Sequence, residues 1–283
     1  MIYIAILMTT HNRKEKTIRC LTSLMNCDTT QIELDVFLVD DASNDGTSST
    51  IKEKFPKVHV FEGSGNLFWC RGMRLAWQKA IDTHIKYDYF MWLNDDTELF
   101  ENAIKELLDC CMAKNNKTIV SGFIKDRDEK EAIYGGSDKN KKLLSPNGKF
   151  QEITYMNGNV VLIPFNVYER IGIFDPYLHH DLGDVDYGLS CLEAGFYVIS
   201  SRYFVGQTEQ NQVVSCRVRC PHTNMVTRFK KLYSPLGSNP FINFHFRKKH
   251  FGLINAISYF LYLYIINILP DCIIETFTKK YAI

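Results

Sequence analysis

The sequence predicts an α/β protein with a mostly parallel sheet that is flanked by helices. Short apolar runs alternate with segments of helical spacing over the first 125 residues, which is the pattern of successive βαβ units. The chain has 283 residues, of which 46% are hydrophobic, and this is enough to build a large core. Polar residues follow each apolar run. We therefore expect them to gather at the carboxyl edge of the sheet, where such sheets bind ligands.

The predicted elements follow one another without an internal repeat or a low-complexity linker. A strand over 2–8 precedes a helix over 13–25, in which Ile18, Leu21 and Leu24 share one face. Alternation then continues with strands over 34–39, 58–61, 89–93 and 118–123, separated by helices over 47–55, 72–85 and 100–114. Residues 125–150 are polar and predict a loop or hairpin insertion, after which strand and helix patterns resume from Tyr155.

The charges are distributed unevenly along the chain. The net charge is +1, but residues 210–270 contain eight Lys or Arg and no Asp or Glu. Because residues 271–283 balance to zero, residues 1–209 carry 1 − 8 = −7. The small net charge gives no reason to expect a nucleic acid partner, whereas the basic segment favours an anionic one.

The C-terminal segment is apolar and follows this basic stretch directly. Residues 251–269 include no charged side chain in 19 positions, and the sequence RKKH precedes them. A bilayer span needs about 20 strongly apolar residues, and Asn255, Ser258 and Asn267 make this segment marginal. We expect a helix that lies at a membrane surface; a core helix, a homodimer helix and a true span are the alternatives.

The cysteines and the N-terminus favour a cytosolic protein. The nine cysteines are odd in number and show no repeating spacing, which predicts free thiols in a reducing compartment. MIYIAILMTT lacks the charged region and cleavage site of a signal peptide. Cys216, Cys220 and His222 supply three residues of zinc-binding type, but no fourth ligand follows at the usual spacing, so structural zinc is not expected.

Two adjacent carboxylates end the apolar run YDYFMWL, in the sequence NDDTEL. Asp95 and Asp96 offer hard oxygen ligands for Mg²⁺ or Mn²⁺, which can hold a nucleotide diphosphate where no glycine-rich phosphate loop exists. The loop after the first strand, TTHNRKEKT, has no glycine, so neither a dinucleotide fingerprint nor a P-loop is present there. The alternative is that Asp or Thr of this sequence caps the helix expected from Phe100.

Asp40 and Asp41 end the second predicted strand in the same way. A carboxylate at this place can accept hydrogen bonds from a base N–H or a ribose hydroxyl. Turn and cap chemistry is the alternative, and it accounts well for residues 43–46.

Four segments in this order resemble the family 2 inverting glycosyltransferases of the GT-A fold, of the bacterial surface-polysaccharide type. TTHNR at 9–13 resembles the loop over the nucleotide, VDDASNDGT at 39–47 the base and ribose loop, and LNDDT at 93–97 the D-x-D metal motif. GIFDPYLHHDLGDVDYGL resembles the acceptor-side segment that ends in the catalytic base. The sequence departs from the family at Asn94, the first position of D-x-D, at Gly183, where Glu is usual, and at Ser190, where many members have Arg.

The resemblance implies a role for each matching residue. It implies a catalytic base at Asp184 and a Mn²⁺ or Mg²⁺ ligand at Asp96, with Asp95 and His222 as further metal ligands. The nucleotide contacts that it implies are Thr9, Thr10, His11, Asn12, Arg13, Asp40, Asp41, Asn66, Arg71 and Asp95. The acceptor or donor sugar contacts that it implies are His180, Asp181, Asp186 and Asn159.

The resemblance also implies a different function for each of three parts of the chain. Residues 1–125 would bind the nucleotide-sugar, 126–225 would carry the acceptor side and the base, and 226–283 would form a basic, apolar, membrane-proximal helical segment. The implied activity is metal-dependent transfer of a hexosyl or deoxyhexosyl group from a UDP- or dTDP-sugar to a glycan hydroxyl. The implied acceptor is lipid-linked and belongs to capsule, O-antigen or another cell-surface polysaccharide, at the inner face of the cell membrane.

Two other classes of protein remain as alternatives. A nucleotidyltransferase would also use carboxylates at strand ends, but it should show a glycine-rich basic loop after the first strand. A non-catalytic protein that binds nucleotide or glycan would keep the fold without a competent base, and Gly183 and Asn94 leave this alternative open.

Overall fold

A computed structural model describes residues 1–127, 131–209 and 216–274 of the chain. Residues 128–130 of the predicted insertion and 210–215 of the basic segment lie outside the described residues. The chain divides into two compact units, Met1–His179 with Gly183–Gln210 and His180–Leu182 with Asn211–Ile283. The functional division of the chain at 125 and 225 stays a prediction.

The first unit is built on a mixed sheet of nine strands. The strands are β1 (Ile2–Thr10), β2 (Ile32–Asp40), β3 (His59–Glu62), β4 (Tyr89–Leu93), β5 (Glu98–Leu99), β6 (Thr118–Asp126), β7 (Ala132–Tyr134), β10 (Val160–Pro164) and β11 (Tyr197–Thr208). Their order in the sheet is β3-β2-β1-β4-β10-β6-β11-β5, and β7 pairs with β6 beside this path. A small second sheet pairs β8 (Gly136–Ser137) with β9 (Tyr155–Met156). Strands β1 to β4 are parallel, as predicted, whereas β10 enters antiparallel between β4 and β6.

Six helices belong to the first unit in the residues that the structure describes. They are α1 (Lys14–Met25), α2 (Thr47–Lys54), α3 (Phe68–Asp82), α4 (Ala103–Met112), α5 (Phe165–Ile171) and α6 (Gly183–Glu193). The predicted α/β class and the order of elements over the first 125 residues are confirmed. Several boundaries differ from the prediction. Helix α3 covers Phe68–Asp82 where 72–85 was predicted, and α4 covers Ala103–Met112 where 100–114 was predicted.

The side chains of β4 point alternately to two different core layers, one on each face of the sheet. Phe90 and Trp92 face an aromatic cluster, in which the Trp92 ring stacks on Phe174 with centroids 4.4 Å apart and Trp77 packs edge-on. Tyr89, Met91 and Leu93 face the aliphatic cluster on the other side. Because both faces are buried, β4 is apolar throughout, and its first polar residues come where it ends.

The second unit contains two helices in its described residues, α7 (Met225–Leu232) and α8 (Pro240–Ile268). Helix α8 is interrupted at Gly252, whose φ of 84° and ψ of 168° are not helical. Ring contacts of Phe241 and Phe244 with Phe260 show that the chain folds back on itself at this break. Residues 240–268 therefore form a helical hairpin.

Candidate active site

The polar strand ends of the first unit meet at one edge of its sheet. Parallel pairing places Thr10 of β1 beside Asp40 of β2, and Asp40 beside Glu62 of β3. Strand β4 pairs parallel with β1 on the other side and brings the loop that follows it, residues 94–97, to the same edge. This is the carboxyl edge at which the sequence predicted the ligand.

The loops after β1, β2 and β3 are tied to each other by Asn12 and Asp41. The Asn12 side chain accepts a hydrogen bond from the Asn44 N–H at 2.8 Å, and the Asn12 N–H donates to the Ser43 hydroxyl at 2.8 Å. His11 Nδ1 lies 2.7 Å from the Asp41 carbonyl oxygen. These bonds give residues 11–13 a fixed shape, with Asn12 in the left-handed region at φ 51°.

Asp41 holds the start of α3. Its carboxylate accepts backbone N–H bonds from Gly65, Leu67 and Phe68 at 2.7, 2.8 and 3.0 Å. A Cβ on Gly63 would lie 2.6 Å from Asp41 Oδ1, so this close approach requires glycine. Asp40 accepts from the Ser43 N–H at 3.0 Å in the same region. Both carboxylates therefore shape the loops, and their contacts with nucleotide stay a prediction.

Asp95 and Asp96 are buried side by side, and both carboxylates pair with the guanidinium of Arg13. Their side chains are 6% and 2% exposed, and Arg13 Nη1 lies 3.0 Å from Asp95 Oδ1 and 3.0 Å from Asp96 Oδ2. Burial raises the pKa of Asp95 to about 6, although the Arg13 charge opposes this shift. The alternative role as a helix cap is wrong, because α4 begins at Ala103 and its N-cap position is Asn102.

The Asp96 carboxylate fits a divalent cation. Its Oδ1 is buried and has no hydrogen-bond partner in the described structure, and a buried anionic oxygen of this kind needs a cation or a donor. No group of three or more His, Cys, Asp or Glu gathers at metal-binding spacing within the described residues. The first unit thus offers two carboxylates, which suits Mg²⁺ or Mn²⁺ that takes its other ligands from phosphate oxygens and water.

His222 lies in the second unit. Its backbone N–H donates to Asp271 Oδ2 at 3.2 Å, and its φ is 56°. All nine cysteines are in the thiol form, with no disulfide among them. The expectation that Cys216, Cys220 and His222 hold no structural zinc stays a prediction. The role of His222 as a metal ligand stays a prediction.

Asn94 uses both ends of its side-chain amide. Its Oδ1 accepts from Trp69 Nε1 at 2.7 Å, and its Nδ2 donates to Asn159 Oδ1 at 3.1 Å. A carboxylate in this place could accept from Trp69 but could not donate to Asn159. The departure from the family pattern at Asn94 is therefore explained by this network, and sequence reasoning missed Trp69 as its hydrogen-bond donor.

We expect Asn94→Asp to destabilise the first unit by about 1 to 3 kcal/mol, because it would place a third carboxylate beside the buried Asp95 and Asp96. Urea unfolding followed by Trp fluorescence measures this change. Asn147→Asp is the matched control, since Asn147 uses its side-chain oxygen to accept from the Lys149 N–H, which an Asp can also do. Equal stability of the two variants would contradict the explanation.

Asp184 stands near the start of α6 and is tied to the same network. Its Oδ2 accepts from the Gly158 N–H at 3.0 Å, and its Oδ1 accepts from the Val185 N–H at 2.8 Å. A Cβ on Gly158 would lie 2.7 Å from the Trp69 ring, so glycine is needed there. Since Asn159 bonds to Asn94, residues 158 and 159 connect the candidate base to the carboxylates after β4.

The other predicted sugar contacts lie in different surroundings. Asp186 is buried on α6, whereas His180 and Asp181 belong to the second unit. Arg217 Nη1 lies 3.4 Å from Asp181 Oδ2, and burial raises the pKa of Asp181. Asn159 is also buried, and its Nδ2 has no hydrogen-bond partner among the described residues. A buried donor of this kind is suited to a ligand oxygen.

Two further residues of the loop regions are placed by backbone contacts. His179 Nε2 lies 2.7 Å from the Asn66 carbonyl oxygen, and the Arg71 N–H donates to the His179 carbonyl at 3.3 Å.

Gly183, the second departure from the family pattern, packs closely against helix α3. A Cβ there would lie 2.6 Å from Cys70 Sγ on α3, so a glutamate at this position would require Cys70 to move.

Arg13 occupies the carboxylates that a metal ion would use, so its removal should favour the metal. We expect Arg13→Gln to bind Mn²⁺ about tenfold more tightly than the unchanged chain when no nucleotide is present, because two buried carboxylates lose their competing cation. Electron paramagnetic resonance of free Mn²⁺ measures this affinity. Lys16→Gln is the control, because Lys16 pairs with the exposed Glu209. Unchanged or weaker Mn²⁺ binding in Arg13→Gln would show that Arg13 does not compete.

Comparison with known proteins agrees with this geometry. A curated relative, the poly(ribitol-phosphate) beta-N-acetylglucosaminyltransferase TarP of Staphylococcus aureus (strain N315), is 24% identical over 161 residues, which cover 54% of this chain and 47% of TarP. The chain thus matches about half the length of that relative.

Two solved structures share the fold at low sequence identity. GalNAc-T7 with UDP, GalNAc and Mn²⁺ matches with a TM-score of 0.59 and 13% identity, over 88% of this chain and 54% of that one. The mannosyltransferase PcManGT from Pyrobaculum calidifontis, in complex with GDP-Man and Mn²⁺, matches with a TM-score of 0.56 and 16% identity, over 90% and 73%. The predicted GT-A fold is confirmed.

Residues 5–175, more than half of the chain, match the family described as glycosyl transferase family 2. This range contains three of the four segments on which the sequence resemblance rests, and it includes Arg13, Asp95 and Asp96. The chain therefore belongs to glycosyl transferase family 2.

Proposed function

We propose that the chain is an inverting, metal-dependent glycosyltransferase that moves a hexosyl or deoxyhexosyl group from a UDP- or dTDP-sugar to a glycan hydroxyl. One observation carries the proposal. Residues 158 and 159 connect Asp184 to Asn94 by hydrogen bonds, and Asn94 directly precedes Asp95 and Asp96 in the loop after β4, so the candidate base is tied to the loop that carries the buried carboxylates. Transfer with inversion needs a base on one side of the sugar and charge neutralisation at the leaving diphosphate on the other.

The nucleotide would lie over the loops that Asn12 and Asp41 shape. Thr9, Thr10, His11 and Asp40 belong to the same carboxyl edge, where the base and ribose can meet carboxylates and backbone groups. Asn66 and Arg71 flank the start of α3 beside the third strand's loop. Their side chains would contact the base or a phosphate.

Asp96 and Asp95 would hold the divalent cation, and Asp96 Oδ1 is the oxygen best suited to it. A bound Mn²⁺ or Mg²⁺ supplies positive charge that stabilises the departing diphosphate. Arg13 would then leave the two carboxylates, and its guanidinium would be available to the phosphate oxygens. His222 is a further candidate ligand.

Asp184 would take the proton of the acceptor hydroxyl. The hydroxyl oxygen forms the new bond to the anomeric carbon while the bond from that carbon to the diphosphate oxygen breaks, and the proton ends on the Asp184 carboxylate. The two backbone N–H bonds to Asp184 fix the direction of its carboxylate. Asp186, which is almost fully buried, and Asp181, which is paired with Arg217, are the alternative bases.

We propose a lipid-linked glycan of the cell surface, such as a capsule or O-antigen precursor, as the acceptor, and the inner face of the cell membrane as the place of reaction. The relative TarP is named for transfer to poly(ribitol-phosphate), which supports a surface polymer as the acceptor class. The excess of positive charge in residues 210–270 suits an acceptor that carries a lipid diphosphate.

Two explanations of the sequence weaken the non-catalytic alternative. Gly183 packs closely against Cys70, and Asn94 bonds to both Trp69 and Asn159, so each departure has a structural role that does not depend on a loss of activity. The nucleotidyltransferase alternative lacks the glycine-rich loop that its chemistry uses.

A screen of sugar nucleotides tests the proposal. The purified chain is mixed with each UDP-, dTDP- and GDP-sugar, with and without Mn²⁺, and both donor hydrolysis and thermal stabilisation are measured. We expect one donor to raise the Tm and to be hydrolysed only when metal is present. Stabilisation by a nucleotide without any hydrolysis would favour the non-catalytic binding protein, and no effect of any nucleotide would reject the proposal.

A further inference from the structure

We infer that the second unit docks on an anionic lipid bilayer through one face of the helical hairpin. The face consists of five aliphatic residues of α8, which we call the aliphatic stripe: Ile254, Ile257, Leu261, Ile265 and Ile268. The inference deepens the proposed function by naming the surface that would hold the enzyme at the membrane. It does not depend on sugar transfer, so the two can fail separately.

The hairpin fixes which side of α8 faces outward. Arg247, which lies before Gly252, stacks on the Tyr259 ring at 3.5 Å and donates to Asn255 Oδ1 at 2.9 Å, and both of these residues lie after Gly252. Phe260 packs against Phe244 from the first half of the hairpin. These contacts hold residues 253–268 against residues 240–251 along a single side.

The opposite side of the helix is apolar and uncovered. On the covered side, Ala256, Leu263 and Asn267 are buried, and Asn267 Nδ2 donates to the Val218 carbonyl at 2.9 Å. The aliphatic stripe, with spacings of three and four residues, is 45% to 83% exposed. A helix that is apolar on all sides is normally covered on all sides, so the aliphatic stripe requires an apolar partner.

The length of the segment favours insertion into one leaflet over a span. By length and composition, α8 is the one described helix long and apolar enough to cross a bilayer. The break at Gly252 leaves the 16 residues from Leu253 to Ile268, which reach about 24 Å at 1.5 Å per residue. This is shorter than the ~30 Å hydrocarbon core, so a helix lying along the surface is the better fit.

Charge decides between a bilayer and a second copy of the chain. The described residues 216–270 contain no Asp or Glu, and Lys248 and Lys249 are exposed just before Gly252. In a twofold dimer across the stripe, each copy would bring the same cations towards the other. At an anionic membrane these cations meet phosphate groups instead, and each of them strengthens binding to the surface.

Sedimentation of the full chain with lipid vesicles tests the inference. We expect binding to vesicles of phosphatidylcholine and phosphatidylglycerol at three to one, and at least about tenfold weaker binding to phosphatidylcholine alone. Ile257→Gln combined with Leu261→Gln should lower binding to the anionic vesicles at least about tenfold, because two apolar contacts are lost without any change in charge. Lys248→Gln combined with Lys249→Gln should lower it by a similar factor on anionic vesicles only.

A matched pair of substitutions in the first unit controls for surface polarity. Ile85→Gln combined with Met112→Gln changes two side chains that are each 48% exposed, and it should leave vesicle binding unchanged. Equal binding of the stripe variant and the unchanged chain would overturn the inference. So would a dimer in light scattering that the stripe variant alone disrupts, with no binding to vesicles. Metal-dependent donor hydrolysis, measured on each protein in solution, reports the proposed activity separately.

Discussion

Replacing Asp96 with alanine is expected to slow sugar transfer about a thousandfold, which corresponds to ~4 kcal/mol of lost transition-state stabilisation. The reason lies in the position of its carboxylate, which is buried, bonded to Arg13 through Oδ2 and without a hydrogen-bond partner at Oδ1. Steady-state transfer at saturating donor and Mn²⁺ measures the effect. We also expect Mn²⁺ to lose its contribution to nucleotide binding, as followed by Tm.

Glu98→Ala is the matched control for Asp96→Ala. Glu98 is an acid two residues further along the chain, and it forms ion pairs with Arg19 and Arg127. Its loss should change turnover little, because these pairs are partly exposed and contribute little to stability. Near-normal turnover of Asp96→Ala with added Mn²⁺ would reject Asp96 as the metal ligand. An equal loss of turnover in both variants would mean that turnover depends on any carboxylate of this region and not on Asp96 in particular.

The position of the site could be predicted from the sequence because strand ends are marked locally. Each buried strand is a short apolar run, and the first polar residue after it marks the carboxyl end. For β4 this rule placed Asn94, Asp95 and Asp96 at the sheet edge. The rule needs no tertiary information, since parallel strands bring their carboxyl ends together whenever they form one sheet.

The bonds that hold the site could not be predicted in the same way. Arg13 and Asp96 are 83 residues apart, and Trp69 and Asn94 are 25 residues apart. The sequence around these residues does not indicate that their side chains form hydrogen bonds. The early start of α3 has a similar cause, because Asp41, 26 and 27 residues earlier, accepts the N–H bonds of Leu67 and Phe68. Local propensity alone therefore placed that helix too late.

The order of strands shows a second limit. Strand β10 is as apolar as a buried parallel strand, and its composition does not reveal that it runs antiparallel between β4 and β6. Strand β5 has two residues, too few to show a period. Yet the antiparallel entry of β10 matters for the site, because it brings Asn159 beside Asn94 and Gly158 beside Asp184.

We expect Asp184→Asn to lower kcat for transfer to the acceptor by about 10² to 10⁴, the usual contribution of a general base, with little change in donor KM. The amide keeps the size of the side chain and one acceptor oxygen, so the Gly158 N–H or the Val185 N–H can still bond to it. What is lost is the ability to take the acceptor proton. Donor binding, measured by the Tm shift with nucleotide and Mn²⁺, should persist.

Asp186→Asn and Asp181→Asn decide between Asp184 and its alternatives. Both residues lie within three positions of Asp184, but Asp186 is buried on α6 and Asp181 pairs with Arg217, so neither loss should lower kcat as much as Asp184→Asn. A larger loss in either variant than in Asp184→Asn would move the base to that residue. An unfolding midpoint in urea close to that of the unchanged chain is required of all three, because a defect in folding would lower kcat for any of them. If Asp184→Asn meets this condition and binds donor, its loss of kcat measures proton removal from the acceptor.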